Sequence, residues 1–157
     1  MKPKIFYHIS KKDLGAKVKL LPLDSNDPRT VDRGGSEPDV SRICVAPTIA
    51  GCLGAILLCP KKHYIYRTVK QKLAKNPYGV ADAKNTGEKW LIKPTVFIKI
   101  GIISYNTMIQ IMNQKENDGF CFYTGEASAS DLIAQSKFIR WLSANFSFEK
   151  GMYVIIE

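Results

Sequence analysis

Short runs of β-branched and aromatic residues recur along this chain, and few of the intervals between them carry a helical period. Lys4 to Ile9, Arg42 to Ala46, His63 to Arg67 and Val96 to Ser104 each read as a strand. In the last of these Val96, Ile98, Ile100 and Ile102 alternate onto one face. Phe120 to Tyr123 and Met152 to Ile156 are weaker strand candidates. A doubly wound parallel sheet needs a crossover helix after nearly every strand, and this pattern supplies too few. The pattern predicts an α+β fold of short, largely antiparallel strands with a few short helices.

Two helices have readable starts. Thr48 can cap a segment in which Ile49, Cys52, Leu53, Ile56 and Leu57 share a stripe. Gly51 and Gly54 lower the intrinsic propensity there, so packing or close backbone approach must hold it. Ser128-Ala129-Ser130-Asp131 offers a capping box, and Leu132, Ile139, Leu142 and Phe146 follow at helical spacing. Lys11 to Leu14 predicts a single helical turn after Ser10. Residues 21–41, with Pro22, Pro28, Gly34-Gly35 and Pro38, show neither period and read as a long loop. The whole chain, 1–157, is expected to form one domain, with 113–157 a C-terminal extension packed on the core.

Composition narrows the class. The chain holds 45% apolar and 24% charged residues, too apolar for a disordered basic tail and too polar for a membrane protein. Its longest apolar run, Ile49 to Cys59, is shorter than the roughly 18 residues a membrane span requires. The N-terminal Met1-Lys2-Pro3-Lys4 enters the first strand with no apolar leader, which points to the cytoplasm. Cys44, Cys52, Cys59 and Cys121 are scattered through apolar stretches without metal-ligand pairing, so free, buried thiols and no metal are expected. Cys52 and Cys59 would share one helical face if that segment is helical throughout.

No G-x-G-x-x-G, Walker A loop, H-E-x-x-H or G-x-S-x-G is present, and the only histidines are His8 and His63. Alternation puts Phe6, His8 and Ser10 on one face of the first strand. Further on, Thr86-Gly87-Glu88-Lys89-Trp90 sets a carboxylate after a turn glycine, with Trp90 on the same face.

Three segments, Tyr7-His8-Ile9-Ser10, then Arg42-Ile43-Cys44-Val45-Ala46-Pro47-Thr48 leading into a helix, then Gly87-Glu88-Lys89-Trp90-Leu91-Ile92-Lys93-Pro94, resemble in their order the ADP-ribosyltransferase fold. The chain is also similar to small phage and bacterial proteins with a Tyr-His-x-Ser strand and a Glu-x-Trp strand. The resemblance covers residues 4 to 104 and implies a split β-sheet that binds NAD+ as substrate. It implies that His8 and Glu88 are catalytic: His8 bonds the nicotinamide ribose, and Glu88 bonds the ribose hydroxyl and stabilises the cation formed as nicotinamide leaves. It further implies a cofactor-binding set of His8, Ser10, Tyr64, Tyr66 and Arg42. Cys44 stands where the family places a stacking tyrosine, and Tyr64 or Tyr66 on the next strand would take its place.

A net charge of +9 needs its own account. Lys2, Lys4, Lys11, Lys12, Lys17 and Lys19 gather near the N-terminus, and Lys61, Lys62, Arg67, Lys70, Lys72 and Lys75 in the middle, with Tyr64, Tyr66 and Tyr78 interleaved. Such surfaces attract nucleic acid or acidic protein through counterion release and field complementarity. The alternative function is therefore a non-catalytic interaction module that presents a basic face to nucleic acid or to a host protein. A narrower variant within the same fold is an RNA 2′-phosphotransferase.

Overall fold

A computed structural model describes residues 4–24, 27, 38–70, 74–120 and 128–148. The chain runs β1 (Tyr7–Ser10), β2 (Lys17–Leu20), β3 (Ile43–Val45), α1 (Ile49–Ala55), β4 (His63–Thr68), α2 (Ala83–Thr86), β5 (Lys89–Leu91), β6 (Thr95–Ile103), α3 (Tyr105–Asn117) and α4 (Ala129–Asn145). It is an α+β fold with a four-stranded sheet in the order β1-β4-β6-β2 and a two-stranded sheet of β3 and β5, antiparallel throughout. The sheets meet where Tyr7 and Ala46 exchange backbone hydrogen bonds of 2.8 and 3.1 Å. Beyond that bridge β3 parts from β1, so the six strands form one surface split between β3 and β1.

The split sheet has a core on each side. On one face Ile9, Ile65 and Ile103 cluster with α1, α3 and α4 through Ile49, Leu53, Met108, Ile111, Phe138 and Leu142. On the other, Phe6, Tyr66 and Phe97 pack on Ile43, Val45 and Leu91 of the smaller sheet. Alternation along β1 sends Phe6 into the second cluster and Ile9 into the first, as expected for a strand with two buried faces.

Helix α1 owes its place to close approach. Thr48 accepts the Gly51 N–H at 3.0 Å as its N-cap. A Cβ at Gly51 would lie 2.2 Å from the backbone oxygen of Thr86, and one at Gly54 would lie 2.5 Å from Ile139 Cγ1. The two glycines let α1 touch the end of α2 on one side and α4 on the other. A buried polar hub secures the same junction: Gln135 donates to Gly54 O at 3.0 Å and to Asp82 Oδ2 at 2.7 Å, and accepts from Asn85 Nδ2 at 3.2 Å.

The capping box of α4 is present, with Ser128 accepting from Asp131 N and Asp131 from Ser128 N. Several expectations are corrected. Helix α1 ends at Ala55, because Ile56 is extended and its N–H closes on Cys52 O, so Leu57 is exposed and Cys59 lies outside the helix. Cys44 and Cys59 are partly exposed thiols, and Cys52 is buried. Residues 11–14 form no helical turn: Ser10 Oγ accepts the Lys12 N–H and donates to Lys12 O, closing a tighter bend. A bulge in the β4–β6 ladder breaks the β6 alternation, so Ile103, opposite His63, is the buried residue and Ile102 falls opposite Tyr64. The core face of α4 is Gln135, Phe138 and Leu142. Strand β2 and helices α2 and α3 stand where no element was expected. The candidate strands at 120–123 and 152–156 fall almost wholly outside the described residues, as do Cys121 and much of 21–41.

Alanine is the better helix former by roughly 1 kcal/mol. Overpacking typically costs about 1–3 kcal/mol and is harshest against backbone. Gly51→Ala is therefore expected to lower stability, and by more than Gly54→Ala, whose neighbour is a side chain that can shift. Urea unfolding of the two variants checks the order.

Candidate functional site

The split places an imidazole where a ladder bond would otherwise continue. One residue past the Tyr7–Ala46 bridge, His8 turns toward β3, and its Nδ1 lies 3.1 Å from Cys44 O. A carbonyl only accepts, so Nδ1 carries the proton and donates, leaving Nε2 with a lone pair. The ring also packs beside Phe97, centroids 5.7 Å apart. Burial holds the His8 pKa below its ordinary value, against the opposing effect of the bond to Cys44 O. At neutral pH His8 is thus a neutral, half-buried imidazole with a fixed tautomer and an accepting Nε2.

Glu88 enters from the other side of the smaller sheet. Helix α2 ends on Gly87, whose φ of 73° is left-handed and whose Cα lies so close to Pro47 that a Cβ would sit 3.0 Å from Pro47 Cδ. That turn delivers Glu88 to the head of β5, its N–H donating to Thr86 Oγ1 at 3.2 Å. Trp90 lies on the same face, as alternation predicts, and its indole N–H donates to Glu88 Oε2 at 3.1 Å. The indole is fully buried between the Arg42 guanidinium, 4.2 Å from the ring centroid, and Tyr78, 5.3 Å away centroid to centroid. This stack fixes one carboxylate oxygen of Glu88 at the point where the chain leaves α2.

The register relates the two groups. β3 pairs with β5 through Ile43–Leu91, Cys44–Trp90 and Val45–Lys89, which places Glu88 one step further on, opposite Ala46. Ala46 in turn bridges Tyr7. Glu88 thus lies one residue beyond the last β3–β5 pair, two strands across from Tyr7 by way of Ala46, with His8 one residue along β1. Two strand spacings put the backbones of His8 and Glu88 about 10 Å apart. Strand alternation sends their side chains to opposite faces, His8 toward Phe97, and Glu88, with Trp90, away from Ile43, Val45 and Leu91.

The other expected site residues go elsewhere. Arg42 is buried, stacked on Trp90, and donates through Nη1 to Pro38 O at 2.7 Å, so it pins the end of the long loop to β5. Tyr66 is fully enclosed: its hydroxyl accepts from Leu14 N and donates to Gly15 O, each at 2.9 Å, and it offers no ring face to a ligand. Ser10 spends its hydroxyl in the bend with Lys12. Tyr64, opposite Ser10, is half-buried with Lys99 Nζ 5.6 Å from its ring centroid, and Lys99 is paired with Asp13 at 2.7 Å. The structure thus joins the His8 ring to the Cys44 carbonyl and Glu88 to Trp90, and assigns Arg42 and Tyr66 to support. The Asp13–Lys99 pair, linking residues far apart in sequence, had no local signal. Among the described residues no cluster of three or more His, Cys, Asp or Glu side chains could hold a metal ion, and no helix is long and apolar enough to cross a membrane.

No family model, curated protein or solved structure matches the chain.

His63 is the second depressed histidine. It is fully buried at the head of β4, with Nδ1 2.9 Å from Lys61 O, and burial lowers its pKa, helped by the charges of Lys11 and Lys61. Both imidazoles are neutral in the native state and start from an ordinary value of 6.5. As pH falls below 6.5 the unfolded chain binds protons that the folded chain refuses, so stability drops with pH until the lower folded values are reached. Denaturant midpoints between pH 7 and 5 are expected to decline, and His8→Gln with His63→Gln should flatten the part of the curve just below 6.5. Unchanged curvature in that double variant would exclude the histidines as its source.

Proposed function

We propose that the chain binds NAD+ or a related nucleotide at the split between β1 and β3 and acts as an ADP-ribosyltransferase-like protein on it. The single observation that carries the reading is the Tyr7–Ala46 bridge, which sets a tautomer-fixed His8 one residue away on β1 and, through the β3–β5 ladder, Glu88 two strands across. It sets a tautomer-fixed imidazole and an anchored carboxylate about two strand spacings apart, at the two sides of the split. The order of the motifs along the chain and the split sheet support the same reading.

In this arrangement His8 Nε2 accepts a hydrogen bond from a ribose hydroxyl. Its neutral state avoids repulsion with the cationic nicotinamide. Glu88 opposes the positive charge that spreads over the ribose as the glycosidic bond breaks and nicotinamide departs with the bonding electron pair. A fixed carboxylate in a partly dry site stabilises that charge more than water does, since it needs no reorientation as the charge forms. The Trp90 N–H bond keeps that carboxylate in place. Cys44, at the family's stacking position, offers a small thiol, so ring stacking on nicotinamide would fall to Tyr64, whose ring is half-buried.

Incubation with NAD+ is expected to release nicotinamide, read by chromatography. Glu88→Gln is expected to reduce the rate by about 100-fold or more, the size of loss typical when a preorganised electrostatic group is removed. His8→Ala should weaken binding as well as turnover. If calorimetry with NAD+ and with ADP-ribose shows no heat, and no nicotinamide appears, the reading is wrong.

A further inference from the structure

Among the described residues, helices cover only one end of one face of the four-stranded sheet. Helices α1, α3 and α4 roof Ile9, Ile65 and Ile103 at one end. At the other end the register lines up Arg67, Ile98 and Lys17 in one row across β4, β6 and β2. In the next row Val96 pairs with Lys19, and Val69, one position beyond the Thr68–Phe97 pair, and Ile5, two beyond the Tyr7–Arg67 pair, continue it toward β4 and β1. Val96 and Ile98 belong to neither core, and Val69 and Ile5 are 50% and 39% exposed. Leu21, which follows β2 with the same alternation as Lys17 and Lys19, is 52% exposed. Aliphatic side chains thus run through an open sheet face, interleaved with cations.

Those cations are uncompensated. Arg67, Lys17 and Lys19 reach no carboxylate among the described residues, whereas Lys99, on the opposite face of β6, is paired with Asp13. A contiguous apolar patch on a monomer's surface marks an interaction site more often than chance. Its chemistry narrows the occupant. A second copy of this chain would set like charges against each other, which opposes self-association. Single-stranded nucleic acid is gripped by aromatic platforms, whereas the one ring in these rows, Tyr7 beside Arg67, packs on the helical core and the remaining apolar residues are aliphatic. Helices already cover the other half of this face. Four strands span about 14 Å, enough for one further helix of about 10 Å diameter.

We propose that this open half-face docks an acidic amphipathic helix of another protein, its apolar stripe on Val69, Val96 and Ile98 and its carboxylates on Arg67, Lys17 and Lys19. The surface is separate from the split between β1 and β3, so the proposal stands whether or not the chain acts on NAD+.

The probe is a labelled synthetic peptide of about five helical turns, with leucines along one face and glutamates beside them, titrated by anisotropy. A scrambled peptide of equal composition and an oligothymidylate serve as competitors. Expected are saturable binding, methyl NMR shifts confined to Val69, Val96, Ile98 and Ile5 in the wild-type chain, and a loss of about tenfold or more in Arg67→Glu with Lys19→Glu. Lys62→Glu with Lys84→Glu, whose side chains are exposed away from this face, should leave affinity within about twofold. Equal binding of the scrambled peptide, preferential binding of the oligothymidylate to the same methyls, a dimer in sedimentation, or no binding of the peptide would each overturn the proposal.

Discussion

Tyr7 and Ala46 hold the two sheets in a single surface by one reciprocal pair of backbone hydrogen bonds, and the arrangement of the molecule follows from that contact. It ties the strand that carries His8 to the strand that leads into α1. It also stops there: the next carbonyl along β3, that of Cys44, is bonded by the His8 ring. A side chain replaces backbone pairing at the point of divergence, which satisfies a buried acceptor while leaving the strands apart. The split is a consequence of how backbone polar groups are satisfied, and His8 is its structural wedge as well as the proposed ligand contact.

A second constraint acts on the far side of β3. Arg42 is almost entirely buried, a costly place for a guanidinium. The cost is offset by the Pro38 carbonyl and by the face of Trp90, which is delocalised enough to accept a weakly hydrated planar cation. The same indole donates its N–H to Glu88. One aromatic ring therefore couples the return of the long loop, the pairing of β5 with both β3 and Lys75, and the orientation of a carboxylate at the head of a strand.

How much of this could be read from the residues depends on range. The Thr48 and Ser128 caps were legible because a cap is a hydrogen bond between residues three apart, and the shared face of Trp90 and Glu88 followed from strand alternation. Helix α3 escaped notice although Ser104 caps it and Met108, Ile111 and Met112 recur at helical spacing, because polar residues dilute that stripe. Strand β2 hid behind its lysines, since Lys-Val-Lys-Leu reads as charge when no partner is known. The β6 bulge and the fates of Tyr66 and Arg42 were beyond reach. Tyr66 looks like any interleaved tyrosine until Leu14 and Gly15, about fifty positions away, claim its hydroxyl. The relation of His8 to Glu88 depends on two strand registers, and periodicity does not encode register across a gap in sequence.

The segment between β2 and β3 also has a closed base. Leu23 and Arg42 exchange backbone hydrogen bonds of 3.1 and 3.0 Å, so the chain departs from and returns to the same point. Lengthening a segment whose ends are already held together costs little, roughly 0.6 kcal/mol for each doubling. The fold thus contains a place where its chain length can change without disturbing either sheet, and descendants of this sequence can acquire or lose whole peptides there while the split keeps its shape.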